Sequence, residues 1–184
     1  LLKNILKGSN MAAVTWSNKK SSTIAAPVEI VGMFSGTKVP ANSEKALEQA
    51  IGKGFKKTLA GLNFKGEAES TILLHGAKRA VLVVGLGDAK KLTMPILRKS
   101  AAAAGRACAS FPSAVAALGD TAATVLDPKE VATALYEGFT LGTYSYDVYK
   151  KSNKKDLKKI TISDVTKPAT VAAFKRANAV CEGV

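Results

Sequence analysis

Apolar and polar positions alternate between two periods along this 184-residue chain. "AAVTW" (Ala12–Trp16) and "PVEIVGMF" (Pro27–Phe34) are short, apolar and rich in β-branched residues, which predicts strands. The intervening "SNKKSST" reads as a polar turn or loop. Over "VPANSEKALEQAIGKGFKKTLAGL" the period lengthens. Leu47, Ile51, Phe55, Leu59 and Leu62 recur every three or four residues, the stripe of one amphipathic helix. Asn42 or Ser43 is placed to cap its start. Gly52 and Gly54 weaken it by roughly 1 kcal/mol each against alanine and mark close packing or a bend.

"STILLHG" (Ser70–Gly76) and "RAVLVVGLG" (Arg79–Gly87) are near-continuous apolar runs, expected of strands buried on both faces. The short "GAK" between them predicts an antiparallel hairpin. A helix over Met94–Ser110, opened by Thr93 and Pro95, carries "AAAAGRACA", whose small side chains suit close packing on a sheet. "SAVAAL" (Ser113–Leu118) reads as a strand. The next helix is well signed: Asp127 as cap, Pro128 in the first turn, Glu130 as capping-box partner, and Val131, Leu135, Phe139 and Gly142 on the buried face. After a basic connection comes the strand "KITIS" (Lys159–Ser163). A final helix then places Val171, Phe174, Ala177, Cys181 and Val184 on one side. Strands alternating with helices, with one hairpin, predict a three-layer α/β/α domain with a mixed β-sheet.

Composition adds limits. Apolar content of 47% and charged content of 22% are ordinary for a globular domain. No apolar run is long enough for a membrane span, so no membrane partner is expected. Residues 1–10 read as a short extension ahead of the domain. Cys108 and Cys181 stand alone inside predicted helices, as small buried hydrophobes of a reducing cytoplasm rather than as a disulfide or metal site. The balance of 27 basic against 14 acidic residues, net +13, invites a polyanion. Because 23 of the 27 are lysine, the charge suits diffuse phosphate attraction better than base reading. The candidate contacts are Lys150, Lys151, Lys154, Lys155, Lys158 and Lys159, which also make sense as a solvated linker.

Other candidate chemistry is thin. Gly85-Leu86-Gly87 follows a strand, but Lys90 stands where a dinucleotide fingerprint needs its third glycine, so it reads as a structural turn. His75, the single histidine, ends a strand with no companion ligand. Glu67 and Glu69 share a solvated face. Tyr144, Tyr146 and Tyr149 are placed to anchor a loop to the core, and Asp147 to orient it.

Residues 137–151, "EGFTLGTYSYDVYKK", resemble the segment near the end of the N-terminal domain of leucyl (cytosol) aminopeptidases. "VLVVGLGDAKKLTMPILRKSAAAAGRA" (Val81–Ala107) looks like that domain's strand, turn and helix, and "ANAVCEGV" (Ala177–Val184) like the start of the helix leading into the catalytic domain. The resemblance implies a macro-domain-like fold over residues 11–167, with 168–184 beginning the link to a catalytic domain absent from this chain. It implies a parent enzyme that releases N-terminal amino acids from peptides with two divalent metals, zinc or manganese. The family's catalytic residues and metal ligands belong to the missing domain, so none is assigned here. The expected partners are that catalytic domain, further copies in a cytoplasmic hexamer and, as in some bacterial members, DNA. Two alternatives stand beside this: a free-standing macro-like domain that binds DNA or another polyanion, and an ADP-ribose-binding domain. The turn "GLGDAKK" lacks the glycine run that would wrap a pyrophosphate.

Overall fold

The computed structural model describes residues 9–36, 39–146, 157–163, 172–177 and 179. Its strands are Ser9–Asn10 (β1), Ala13–Ser17 (β2), Val28–Met33 (β3), Thr71–His75 (β4), Ala80–Gly85 (β5), Ser113–Ala116 (β6), Ser145–Tyr146 (β7) and Lys159–Ser163 (β8). Six of them form one sheet in the order β2-β8-β6-β3-β5-β4. The first five run parallel, and β4 closes the edge antiparallel to β5 through the predicted hairpin. β1 and β7 pair separately as a short antiparallel ribbon.

The helices are Ala41–Ile51 (α1), Phe55–Gly61 (α2), Met94–Ala107 (α3), Leu118–Ala122 (α4) and Pro128–Gly142 (α5). Residues 172–177 are also helical. On one face of the sheet, Ile30, Leu82, Val84 and Ile160 meet Leu97 and Ala101 of α3 and Leu135 and Phe139 of α5. On the other, Val31, Met33, Val81 and Val83 meet Leu47 of α1 and Phe55 and Leu59 of α2. The architecture is thus the expected three-layer α/β/α with a mixed sheet.

Several elements depart from expectation for local reasons. The long helix predicted after Val39 is two helices. Gly52 has φ +87° with nothing within 4 Å of where its Cβ would stand, so it breaks the helix rather than serving close packing. The break turns Leu62 out of the stripe, and it is 53% exposed. Pro40 occupies the cap position of α1, and Ser43 is instead buried with its hydroxyl unpartnered. β4 is an edge strand with only Leu74 buried, whereas β5 is buried throughout. Leu118, predicted to end a strand, opens α4 instead.

The small residues of α3 serve a helix–helix crossing as well as the sheet. A Cβ on Gly138 of α5 would stand 2.7 Å from Ala101 Cβ, and one on Gly142 would meet the backbone of Ala102. Arg98 of α3 pairs with Glu137 of α5 at 2.6 Å across the same seam. Much of "EGFTLG" is therefore accounted for by packing: Glu137 ties the helices, Gly138 and Gly142 admit α3, and Phe139 fills the core. Asp127 caps α5 as predicted, accepting from the Lys129 N–H at 2.8 Å.

Candidate functional site

Open parallel sheets bind ligands beyond the C-terminal ends of their strands, where the direction of the connections reverses. Here the chain leaves β3 toward β5 and β4, and leaves β6 toward β8, so the reversal lies between β3 and β6. α4 fills that position. The Ala117 N–H donates to Ile30 O at 2.8 Å, and the Thr121 hydroxyl donates to Gly32 O at 3.1 Å. Leu118, Thr121 and Ala122 are wholly buried. A Cβ on Gly32 would come within 2.8 Å of Leu118 Cδ1 and 3.0 Å of Thr121 Cβ. The place where this architecture ordinarily receives a ligand is sealed by side chains.

The Gly85–Gly87 turn beside it is equally committed. Gly85 N–H donates to Ser70 O at 2.8 Å, Leu86 N–H to Met33 O at 2.9 Å and Gly87 N–H to Gly66 O at 2.9 Å. A phosphate cradle needs unspent backbone donors, and these three are spent. Buried Ser100 of α3 locks the turn from below, donating to Gly85 O at 3.2 Å and accepting from Glu69 N–H at 3.2 Å. The turn is structural, as its spacing predicted.

At the other end of β3 the sheet carries charge. Glu29 is only 2% exposed and forms an ion pair with Arg79, which stands just ahead of β5. The Arg79 guanidinium also donates to Ser21 O at 3.3 Å and Ile24 O at 3.5 Å, so it clamps the β2–β3 connection onto the sheet. Ladder register puts Thr15, Thr161, Val115, Glu29, Val81 and Leu74 in one row. Glu29 therefore marks where the α1 side of the sheet passes from apolar to polar. A cleft of about 170 Å³ opens there, lined by Lys20, Ser21, Lys45, Gln49, Asp120 and Ser163 above the Glu29–Arg79 pair. The sequence reading missed this pair. Its signal was the lone carboxylate inside "PVEIVGMF", because a buried charge in a central strand demands a partner.

The residues singled out in the sequence do not converge. Lys158 and Lys159 are exposed, at the start of β8. Lys150, Lys151, Lys154 and Lys155 lie outside the described residues, as do Asp147, Tyr149 and Cys181. His75 is exposed opposite Ala80. Tyr144 is 52% exposed, not anchored in the core. Cys108 is buried, and desolvation pushes its thiol up to about 12, which keeps it protonated and inert near neutral pH. Among the described residues, no three His, Cys, Asp or Glu side chains are grouped to hold a metal, so these residues do not fit a two-metal centre. No described helix is long and apolar enough to cross a membrane.

Residues 30–153 match the family described as the cytosol aminopeptidase family, N-terminal domain. The chain is 37% identical over 124 residues to a probable cytosol aminopeptidase of Geotalea uraniireducens, covering 63% of this chain and 24% of that protein. It is 33% identical over 131 residues to a probable cytosol aminopeptidase of Rhodococcus opacus, covering 68% of this chain and 24% of that one. The chain thus spans about a quarter of the length of these relatives. Among solved structures, a tomato leucine aminopeptidase mutant superposes with a TM-score of 0.73 at 18% identity, over 95% of this chain and 36% of that one, a likeness of fold. The bottromycin maturation enzyme BotP in complex with Mn gives a TM-score of 0.64 at 25% identity, over 85% of this chain and 30% of that one.

Proposed function

Because the chain belongs to the cytosol aminopeptidase family, which it matches through that family's N-terminal domain, we propose that it serves as the non-catalytic N-terminal domain of a cytoplasmic, metal-dependent aminopeptidase. The observation that carries this reading is the match over residues 30–153, to a domain that makes up the smaller part of the relatives. The sealed crevice between β3 and β6 supports it, because a domain that does no chemistry has no need of an open one. On this reading, residues 11–167 are the domain and 168–184 begin the link to the catalytic part, which would carry two zinc or manganese ions and release N-terminal residues from peptides. Met11, Leu141 and Tyr144 support an assembly role. They are 46%, 63% and 52% exposed, and Met11 and Tyr144 flank the Asn10–Ser145 rung of the β1–β7 ribbon. Large exposed apolar side chains suit contact with the catalytic part or with other copies in a hexamer. The test is hydrolysis of leucine p-nitroanilide by the chain alone with Mn²⁺ or Zn²⁺. No turnover above a protein-free control is expected, and metal-dependent turnover would overturn the reading.

The net charge of +13 favours a second reading, a domain that also binds DNA or another polyanion through lysines such as Lys158 and Lys159. Affinity for duplex DNA should then fall steeply with salt, since each lysine–phosphate contact releases a counterion. Affinity independent of salt, or no binding at low salt, would remove it.

A further inference from the structure

The cleft above the Glu29–Arg79 pair does not end there. A second cleft, of about 340 Å³, shares Ser22, Ala46, Gln49 and Arg79 with it. Together they form one groove between the β2–β3 connection and α1. The two limbs differ in chemistry. The first is lined by Lys20 and Lys45 together with Ser21 and Ser22. The second is walled by Ile24, Ala25, Ala26, Ala50 and Val81, with Lys78 on its lining.

Charge decides what fits. Lys20, Lys45 and Lys78 make no ion pair among the described residues, and with Arg79 they stand as four cations against the two carboxylates of the groove, Glu29 and Asp120. The unmatched charge of the groove is therefore positive. Its combined size falls in the range of small-molecule sites, roughly 300–1,000 Å³. Arg79 fixes the wall, because its guanidinium holds the carbonyls of Ser21 and Ile24 on the side facing α1. The net charge of +13 would also draw anions toward this surface.

We propose that this groove binds a small organic anion, with a carboxylate or phosphate head between Lys20 and Lys45 and a short apolar body along Ile24, Ala26 and Ala50. The site lies beside the sealed crevice, not in it, and is independent of peptidase chemistry.

The test is amide chemical-shift titration of the ¹⁵N-labelled 184-residue chain with hexyl phosphate, hexanoate and inorganic phosphate. Saturable shifts should centre on Ser21, Ser22, Gln49 and Lys78. Whichever hexyl ligand saturates at lower concentration identifies the head group. It should bind at least about threefold tighter than inorganic phosphate, because the apolar limb adds buried contact. Lys20→Ala with Lys45→Ala should weaken it at least about fivefold, the loss expected of charge-assisted contacts. All four altered lysines are exposed, so both double variants should fold, and Lys57→Ala with Lys129→Ala should leave affinity nearly unchanged. Shifts that spread over the whole lysine surface without saturating would overturn the proposal. So would equal losses in the two double variants.

Discussion

The two ends of β3 show opposite uses of one strand. At its C-terminal end, Gly32 lies under α4, where a glycine is needed because Leu118 and Thr121 occupy the space of a side chain. Polar groups there face one another: Thr121 satisfies Gly32 O, and the donors of the Gly85–Gly87 turn are spent on backbone carbonyls. At its N-terminal end, Glu29 is as buried as a core residue yet charged, and the groove above it is lined by ammonium and hydroxyl groups. A strand end closed by packing has no group left for a ligand. A strand end closed by an ion pair leaves long, solvated side chains around it that can bind one. The fold-level expectation of a ligand beyond the C-terminal ends of β3 and β6 thus meets a seal here, the five residues of α4.

The largest break of this contrast should come at the charged end. Arg79→Met leaves Glu29 buried without its partner and releases the β2–β3 connection, at a cost of about 3–5 kcal/mol in urea unfolding. Adding Glu29→Gln should restore at least half of that, because the uncompensated charge is gone. No recovery in the double variant would mean that the clamp on Ser21 and Ile24, not the charge, is what matters. At the sealed end, Gly32→Ala forces a methyl against Leu118 and Thr121 and should cost about 1–3 kcal/mol, read in the same experiment. A neutral result would show that α4 shifts aside easily. The effect that vanishes at neutral pH concerns Cys108, in the core cluster that also includes Leu118. Its thiol is raised in the folded protein from 9.0 to about 12, so folding favours the protonated form. Stability from this source is fully present below pH 9, then falls by about 1.4 kcal/mol per pH unit as pH rises toward 12. A Cys108→Ala variant should lack that component of the alkaline slope.

Much of the sheet was legible in the sequence because buried parallel strands read as unbroken apolar runs. Val81–Val84 is an example, and the hairpin after His75 followed from the brevity of its turn. α5 was legible because Asp127 and Pro128 sign its start and its apolar face has one period. α4 was not, since five residues carry too little periodicity to distinguish them from the end of a strand. The split after Ile51 was half legible: Gly52 and Gly54 marked close packing or a bend, but the apolar stripe continues in register through Phe55 and Leu59, and the positive φ of Gly52 decides for a break. The groove was invisible for a different reason. It brings together Lys20, Lys45, Arg79 and Ser163, which only the strand order makes neighbours.

Native-state amide hydrogen exchange is the most direct test of whether α4 is a fixed seal or a lid. The Ala123 N–H donates to Gly119 O at 2.9 Å at the end of α4, and the Ala117 N–H to Ile30 O at 2.8 Å at its start. A fixed seal predicts that both exchange as slowly as the amides of β3 and β5, through global unfolding. Exchange as fast as that of the turn Ser21–Thr23, with β3 still protected, would show that α4 opens by itself. The crevice between β3 and β6 would then be a ligand site after all, and the contrast between the two ends of β3 would fail.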